Sequence, residues 1–364
     1  MRAPRARPGT GRVTAPSSAR LLSPEEIAVR AGGEIPFLRL PARSTVFGER
    51  EMRLRQLRAG HAMGDYLGFV ADIAKAQGEA LAAAIEVALP DAARIEQAAK
   101  AGAPLLDAGE WPRDARWLGV LRDVLGRLDA SLPDGPARGV VRTLAARDDA
   151  WLDQQADRIL HGVTLGLDLG SAPLVATGLQ VYFAHLVAAT GAAGAGARIA
   201  PFGRIDDETR CPCCGSRPTA AVTRIGAAEA GYRYLACSLC ATQWHMVRIK
   251  CSRCRSTKGI SYQSLRTLAD DGGDERGGGS ADDRKSRVEG AGAGASAVEL
   301  ECCSECGHYL KIVHMERDPN VEPVADDLAT LTLDLLASES GDARHGVNLM
   351  LFFGDPEPDD SGGG

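Results

Sequence analysis

Apolar residues recur at helical spacing along the first half of the chain. Three stripes mark the buried faces of predicted helices: Tyr66, Val70, Ile73, Leu81 and Ile85; Leu118, Leu121, Leu125 and Leu128; and Trp151 with Ile159. Ser23 and Pro24 followed by Glu25 and Glu26 are typical of a helix start, because serine caps free N–H groups and acids suit the first turn. Pro90 ends the helix that carries the first stripe. The pattern predicts an all-α helical domain over residues 21–190.

One stretch of this region could be mistaken for a membrane span, since no charged residue lies between Asp168 and Arg198. The stretch is rich in alanine and glycine, contains polar residues such as Gln180, and has few large apolar side chains. These features favour a buried helix from about Pro173 to Thr190 over a membrane span. A Gly/Ala run then predicts a linker over residues 191–208.

After residue 208 the apolar runs become short and β-prone. They are Ala221–Ile225, Tyr232–Leu235, Thr242–Ile249, Ile260–Leu265 and Tyr309–Met315. A last amphipathic helix, Val324–Leu336, is predicted within a C-terminal segment of residues 319–353. Residues 1–20 carry five arginines and no acid, which predicts a disordered tail without the apolar core of a signal peptide. Residues 354–364 form an acidic tail.

Four Cys-x-x-Cys knuckles lie among the β-prone runs and predict two metal sites. Two knuckles supply four thiolates, which bind a cation of borderline softness tetrahedrally. The gaps between successive knuckles are 22, 10 and 48 residues, so pairing in sequence order is the simplest arrangement. The predicted ligands are Cys211, Cys214, Cys237 and Cys240 in a ribbon module over 209–248, and Cys251, Cys254, Cys303 and Cys306 in a second module over 249–318.

The long gap in the second module is explained by its composition. Residues 269–297 contain seven acidic residues, many glycines and a single large apolar residue, Val288. Such a segment buries too little surface to offset its ordering entropy. It is predicted to be a disordered insertion at a hairpin tip, and without it the two modules have similar lengths.

Other interpretations of the cysteines and histidines are weaker. Disulfides do not fit a chain without a secretory segment, and four pairs outside a βαβ pattern do not suit one thioredoxin-like reactive dithiol. A Cys-x-x-Cys thiol-redox protein nevertheless stays an alternative. Predicted non-ligands are Cys213 and Cys302 beside the knuckles, His245 and His308 near them, and the lone His61 and His161. No paired carboxylates, nucleophile elbow, phosphate loop or dinucleotide fingerprint indicates an enzyme.

Charge is distributed unevenly along the chain. The net charge of −6 and the pI near 5.7 do not favour nucleic-acid binding overall. Residues 211–266, however, contain nine basic residues and one acid, Glu229, which predicts a basic face. A zinc-ribbon nucleic-acid-binding protein that uses this face is therefore an alternative function, and a docking face for an acidic protein is the other interpretation.

The cysteine-rich half contains five longer motifs. They are Cys-Pro-x-Cys-Gly-Ser at 211–216, Gly-x-Arg-Tyr-Leu-x-Cys-x-Leu-Cys at 231–240, Trp-His-x-Val-Arg-x-Lys-Cys-x-x-Cys at 244–254, Cys-x-x-Cys-Gly-x-Tyr-Leu-Lys at 303–311 and Asp-Pro-x-Val-Glu-Pro-Val-Ala-Asp-Asp-Leu-Ala at 318–329. Together they resemble the FdhE family of formate dehydrogenase accessory proteins. The resemblance spans about residues 22–353. The chain departs from the family at the 269–297 insertion and at Leu349, where proline is expected.

The resemblance implies a multi-domain α+β protein with an N-terminal helical domain, two tandem rubredoxin-like, zinc-ribbon-type modules and a C-terminal helix. It implies a cytoplasmic assembly factor rather than an enzyme, with iron favoured over zinc in two tetrahedral four-cysteine sites. The implied partner is the molybdenum- or tungsten-dependent catalytic subunit of formate dehydrogenase. Neither a membrane span nor nucleic acid is expected, and the sequence leaves a homodimer open.

Overall fold

The computed structural model describes residues 35–83, 85–225, 231–264 and 296–352. The predicted N-terminal tail, the Ser23 cap, most of the 269–297 insertion and the acidic tail lie outside the described residues. The fold is an α-helical N-terminal region followed by a mixed β-sheet that carries the cysteines. This confirms the predicted order of helical and β regions, whereas the domain boundaries stay a prediction.

Seven helices of the described chain precede the first knuckle. They are α1 Val46–Leu57, α2 Gly64–Ala82, α3 Ala92–Ala101, α4 Arg116–Ser131, α5 Pro136–Ala145, α6 Asp149–His161 and α7 Ala172–Ala193. Asp91 caps α3 and Asp148 caps α6, each carboxylate accepting a backbone N–H bond of 2.8 Å. Leu118, Leu121, Leu125 and Leu128 of the second stripe are all buried, as their spacing predicted.

The apolar helix α7 lies at the centre of the helical region, against α2, α4 and α6. It approaches α4 closely at Gly178, where an added Cβ would lie 2.7 Å from the Cβ of Leu121. Among the described helices, only α7 is long and apolar enough to cross a bilayer, and 83% of its most apolar window is buried in the protein. The prediction of a buried helix is confirmed, with slightly wider bounds.

The first stripe extends beyond the helix that it predicted. Helix α2 ends at Ala82, so Ile85 lies outside it, although the alanine-rich sequence favours continuation to Pro90. Arg43 lies at this end and donates to the carbonyl of Leu81 at 2.8 Å and of Ala83 at 3.3 Å. A side chain distant in sequence therefore satisfies the terminal carbonyls that another helical turn would have used.

The strands join into one sheet. They are β1 Leu38–Arg39, β2 Pro218–Thr223, β3 Arg233–Cys237, β4 Gln243–His245, β5 Ile260–Gln263, β6 Val298–Cys303, β7 His308–His314 and β8 Ala343–Arg344. The order across the sheet is β1-β4-β3-β2-β7-β6-β5, and β8 pairs with β7. The five β-prone runs each overlap a strand, whereas β1, β6 and β8 were not predicted.

The two cysteine modules meet in the middle of this sheet. Strand β2 of the first module pairs in parallel with β7 of the second, with Ala221 opposite Ile312 and Thr223 opposite His314. All other pairs except β7 with β8 are antiparallel, as in hairpins. The modules therefore share backbone hydrogen bonds. Their description as rubredoxin-like units goes beyond this topology and stays an expectation.

The predicted C-terminal helix is two helices, α8 Pro323–Ala329 and α9 Leu331–Glu339. The break falls at Thr330, whose φ of −120° is not helical. Helix α8 packs against α1, and the buried Arg53 of α1 makes a bidentate pair with Asp326, with bonds of 2.6 and 2.9 Å. Arg53 also contacts Asp318 at 2.7 Å. These ion pairs link α8 and the segment before it to α1.

Candidate metal centres

The first cluster brings together the Sγ atoms of Cys211, Cys214, Cys237 and Cys240. The Sγ of Cys214 lies 3.4 Å from that of Cys237 and 3.5 Å from that of Cys240, and the Sγ of Cys211 lies 3.6 Å from that of Cys240. All four Sγ atoms lie within 4.8 Å of one another. This is the first group that the spacing predicted.

The second cluster brings together Cys251, Cys254, Cys303 and Cys306, again within 4.8 Å of one another. The Sγ atoms of Cys251 and Cys306 are 3.8 Å apart, and those of Cys254 and Cys303 are 3.7 Å apart. Strands β6 and β7 supply one knuckle as their connecting turn, and the other lies just before β5. The pairing of the knuckles in sequence order thus agrees with the geometry.

Either cluster could hold a metal ion. A tetrahedral thiolate site with metal–sulfur bonds of about 2.3 Å places its sulfurs about 3.8 Å apart. The observed 3.4–3.8 Å separations are close to this value. A sulfur-only tetrahedral donor set suits iron as well as zinc, so the geometry leaves the identity of the ion open. Binding of an ion by these eight residues remains a prediction.

All four knuckles use a left-handed residue directly after their second cysteine. Gly215 and Gly307 have φ of 72° and 62°, as expected for glycine. Ala241 and Arg255 adopt the same conformation, with φ of 59° and 64°, although neither is a glycine and such a backbone is strained for them. The two knuckles that lack a glycine at this position therefore form the same turn as the other two.

The knuckle turns also direct backbone N–H groups at sulfur. The Sγ of Cys237 accepts from the N–H groups of Leu239 and Cys240, at 3.4 Å each. The Sγ of Cys251 accepts from Arg253 at 3.4 Å and from Cys254 at 3.5 Å. Such donors stabilise the negative charge of a thiolate, which is the form that binds a metal.

The two clusters differ in their exposure to solvent. All four cysteines of the first are buried, whereas in the second Cys254 is exposed and Cys306 is half-buried. The first cluster is enclosed partly by the helical region, because the N–H groups of Leu106 and Ala108 donate to the carbonyls of Cys213 and Cys214 at 2.9 and 3.0 Å. The first site is therefore internal, and the second lies at the surface.

Burial has a direct effect on the thiols of the first cluster. It raises the pKa of Cys211 and Cys240 well above the ordinary thiol value. Burial acts in the same direction on Cys214, but hydrogen bonds with Cys211, Cys237 and Cys240 outweigh it and hold the pKa of Cys214 well below that value. A bound cation would favour the thiolate at all four positions, since thiolates are the ligating form.

Both clusters exclude Cys213, Cys302 and the four histidines considered above as ligands. Cys213 and Cys302 are buried without joining either group. The ring of His245 packs edge-on against Tyr234, with centroids 5.7 Å apart. Nδ1 of His308 bonds the carbonyl of Cys306 at 2.6 Å. Nε2 of His61 bonds the carbonyl of Ala329 at 2.9 Å, and His161 bonds its own helix.

One residue of the predicted basic face, Arg233, does not lie at the surface. Arg233 is fully buried and pairs with Glu301 of β6 at 2.5 Å, and it also donates to the carbonyls of Val247 and Lys250. It therefore links the two modules instead of facing solvent, and the basic run of the sequence contained no signal of this partner. Arg266 and Glu229 lie outside the described residues, whereas Arg248 and Arg255 are exposed.

Comparisons with known proteins place the whole arrangement in one family. Family models match residues 35–195 (FdhE, N-terminal), 210–248 (FdhE, central domain) and 284–351 (FdhE, C-terminal domain). The chain is 34% identical over 350 residues to Protein FdhE of Salmonella arizonae, covering 93% of this chain and 100% of that protein. It is also 34% identical to the Protein FdhE homolog of Cronobacter sakazakii, covering 90% and 95%.

A solved structure shows the same likeness. The crystal structure of the FdhE protein from Pseudomonas aeruginosa superposes with a TM-score of 0.70 at 31% sequence identity, covering 88% of this chain and 100% of that chain. The matches cover both the helical region and the region of the two cysteine clusters. The chain therefore belongs to the FdhE family.

Proposed function

We propose that this protein is a non-catalytic maturation factor that binds the catalytic subunit of formate dehydrogenase through the surface around its second cysteine cluster. FdhE family proteins are formate dehydrogenase formation factors, which supports the enzyme as the target. Within the structure, the proposal rests on the unequal exposure of two otherwise similar clusters. A purely structural pair of sites would not require one of them to lie at the surface.

The surface around the second cluster combines the exposed knuckle with apolar side chains. Ile249 is 68% exposed and Val247 is 49% exposed, and both lie just before Cys251. Tyr262 is 42% exposed, and its hydroxyl donates to the carbonyl of Arg248 in the same loop at 3.3 Å. We call Val247, Ile249, Cys254 and Tyr262 the second-cluster face. Exposed aromatic and aliphatic side chains that are grouped in this way are typical of protein interfaces.

Basic residues surround this face. Arg248, Arg253, Arg255 and Lys258 are all exposed, and they would attract an acidic surface on the partner. The same charges would also attract nucleic acid, so nucleic acid has to be tested beside the protein partner. The burial of Arg233 and the net charge of −6 support a protein partner instead.

The metals in this proposal organise a surface and do not perform catalysis. Four cysteines complete a tetrahedral site and leave no open position for a substrate. We propose iron in both sites, following the family resemblance, and a cytoplasmic location. Ferric iron bound by four thiolates gives a coloured protein, whereas zinc gives a colourless one, so a visible spectrum with elemental analysis distinguishes the two.

The test is co-purification of formate dehydrogenase with the tagged, full-length protein from anaerobically grown cells. Ile249→Ser should reduce recovery of the catalytic subunit by about tenfold or more, because interface anchors are commonly worth at least about 1.4 kcal/mol. Leu165→Ser is the matched control, since Leu165 is 84% exposed in the connection between α6 and α7. It should leave recovery unchanged.

Both variants should retain the metal content of the wild type. Full recovery of the catalytic subunit with Ile249→Ser, at unchanged metal content, would contradict the proposed face. Absence of the catalytic subunit from the wild-type preparation, together with steeply salt-dependent retention on nucleic acid, would instead support the nucleic-acid-binding alternative.

A further inference from the structure

A cleft of about 610 Å³ lies beside the first cysteine cluster and extends to a knuckle of the second. Cys214 of the first cluster lines it, as does Arg253, which lies between Cys251 and Cys254 of the second. Arg217 and, from near the C terminus, His345 line it as well. The volume is that of a site for a small organic ligand, and neither the metals nor the second-cluster face accounts for it.

Two arginines without a carboxylate partner in the described structure face this cleft. Within the described part of the chain, neither Arg217 nor Arg253 forms an ion pair with a carboxylate, and Arg253 contacts only the ring of His308 through its side chain. Arg210, at the edge, pairs loosely with Asp207 at 3.9 Å. Burial, and then the charges of Arg210 and Arg253, lower the pKa of Arg217, which shows that these like charges lie close together.

A buried imidazole without a partner faces the same cleft. His345 is only 6% exposed, and neither of its ring nitrogens has a hydrogen-bond partner among the described residues. The backbone of Ser252 lies near the ring but outside normal hydrogen-bond geometry. Burial, followed by the charges of Arg217 and Arg253, lowers the pKa of His345 to about 4, so the ring is neutral at neutral pH. A neutral ring has one N–H to donate, and leaving it unpaired is costly.

We propose that this cleft binds the oxyanion of a small molecule, a phosphate or a carboxylate, between Arg217, Arg253 and the ring of His345. The oxyanion would pair both arginines and satisfy the unpartnered imidazole. The cleft is also lined by the acids Asp107, Glu110 and Asp207, which suit the hydroxyl groups of a ligand better than a second anion. The ligand class is therefore a hydroxylated phosphate ester or carboxylate. Its site would contact both cysteine modules at once.

The experiment is calorimetric titration of the metal-loaded, full-length protein at low ionic strength, with inorganic phosphate in one arm and acetate in the other. Saturable binding of either anion is expected, and the arm that binds more tightly assigns the class. Arg217→Gln should weaken binding by about tenfold or more, because it removes a charge-assisted bond. Arg248→Gln is the matched control, since Arg248 is an exposed arginine outside the cleft, and it should change affinity by less than about twofold.

His345→Leu separates a binding role from a structural one. The variant should lose affinity for the anion and yet melt at a higher temperature than wild type without ligand, because an unpaired buried polar group has been removed. The proposal is overturned if neither anion gives saturable binding. It is also overturned if Arg217→Gln and Arg248→Gln weaken binding equally, since diffuse charge attraction would then explain the result, or if His345→Leu binds as tightly as wild type.

Discussion

The four knuckle turns allow a quantitative test of the strain that a left-handed backbone imposes on residues other than glycine. Each has a left-handed residue after its second cysteine, but two are glycines and two are not. The left-handed conformation costs a residue other than glycine about 1–2 kcal/mol. Replacing glycine with alanine restricts the unfolded chain and returns about 0.4–1 kcal/mol. At a site without steric conflict, the free energy of unfolding should therefore fall by the difference of these two effects, which is about 0.5–1 kcal/mol around their midpoints.

Gly307 is such a site, because an added Cβ there meets no atom of the described residues within 4 Å. Gly307→Ala should lower the free energy of unfolding by about 0.5–1 kcal/mol. At Gly215 the added Cβ would lie 2.8 Å from a carboxylate oxygen of Asp107, and such overpacking adds about 1–3 kcal/mol. Gly215→Ala should therefore cost about 1.5–4 kcal/mol in total. The reverse changes Ala241→Gly and Arg255→Gly should each stabilise by about 0.5–1 kcal/mol.

The assay is urea unfolding at a fixed concentration of free metal, with the midpoint compared at constant slope. Elemental analysis of each variant controls for loss of the ion. Equal decreases in the free energy of unfolding for Gly215→Ala and Gly307→Ala would show that the contact with Asp107 does not add to the destabilisation. Destabilisation by Ala241→Gly would refute the idea that the non-glycine turns are strained.

Three further outcomes follow from the structure. A chelator should remove the ion of the second cluster before that of the first, because only the second has an exposed ligand, Cys254; a single kinetic phase of metal release would count against this. Arg233→Met should lower the free energy of unfolding by about 3–5 kcal/mol in urea, because it leaves the buried carboxylate of Glu301 without its ion-pair partner. Arg122→Met, which breaks an exposed pair with Asp149, should lower it by less than about 1 kcal/mol. Equal decreases for the two variants would contradict this prediction. Burial raises the pKa of Tyr66 to about 12, so stability should fall between about pH 10 and 12 as the unfolded chain releases this proton first; the 295 nm titration should lose one ionisation near pH 12 in Tyr66→Phe, and an unchanged titration would contradict the assignment.

The features that sequence predicted are those encoded by neighbouring residues. The two-residue spacing of each knuckle and the 3.6-residue period of the leucine stripe in α4 are local, so the cysteine groups and the helical region were foreseeable. The features that sequence missed depend on distant partners. Arg43 donates to the carbonyl of Leu81 at the end of α2, 38 residues away. Arg233 pairs with Glu301, which follows it by 68 residues. No pattern within either segment indicates such a contact.

The shared sheet was missed for the same reason. A repeat of two similar modules suggests two independent ribbons, because each hairpin can be recognised from its own sequence. The parallel pairing of β2 with β7 joins Thr223 to His314, 91 positions apart, and neither strand contains a signal of which neighbour it will have. The run at 298–303 was also not predicted as a strand, although β6 is the partner that places Cys303 in the second cluster.

The parallel pairing of β2 with β7 has a consequence for the protein during its synthesis. Strand β2 leaves the ribosome long before His314 is made, so for that interval its outer edge has no neighbour to bond with. Unpaired edges of this kind promote association between nascent chains. The pairing of Thr223 with His314 closes that edge only after β7 has been synthesised, 91 positions later, so the synthesis of β7 limits association through the edge of β2.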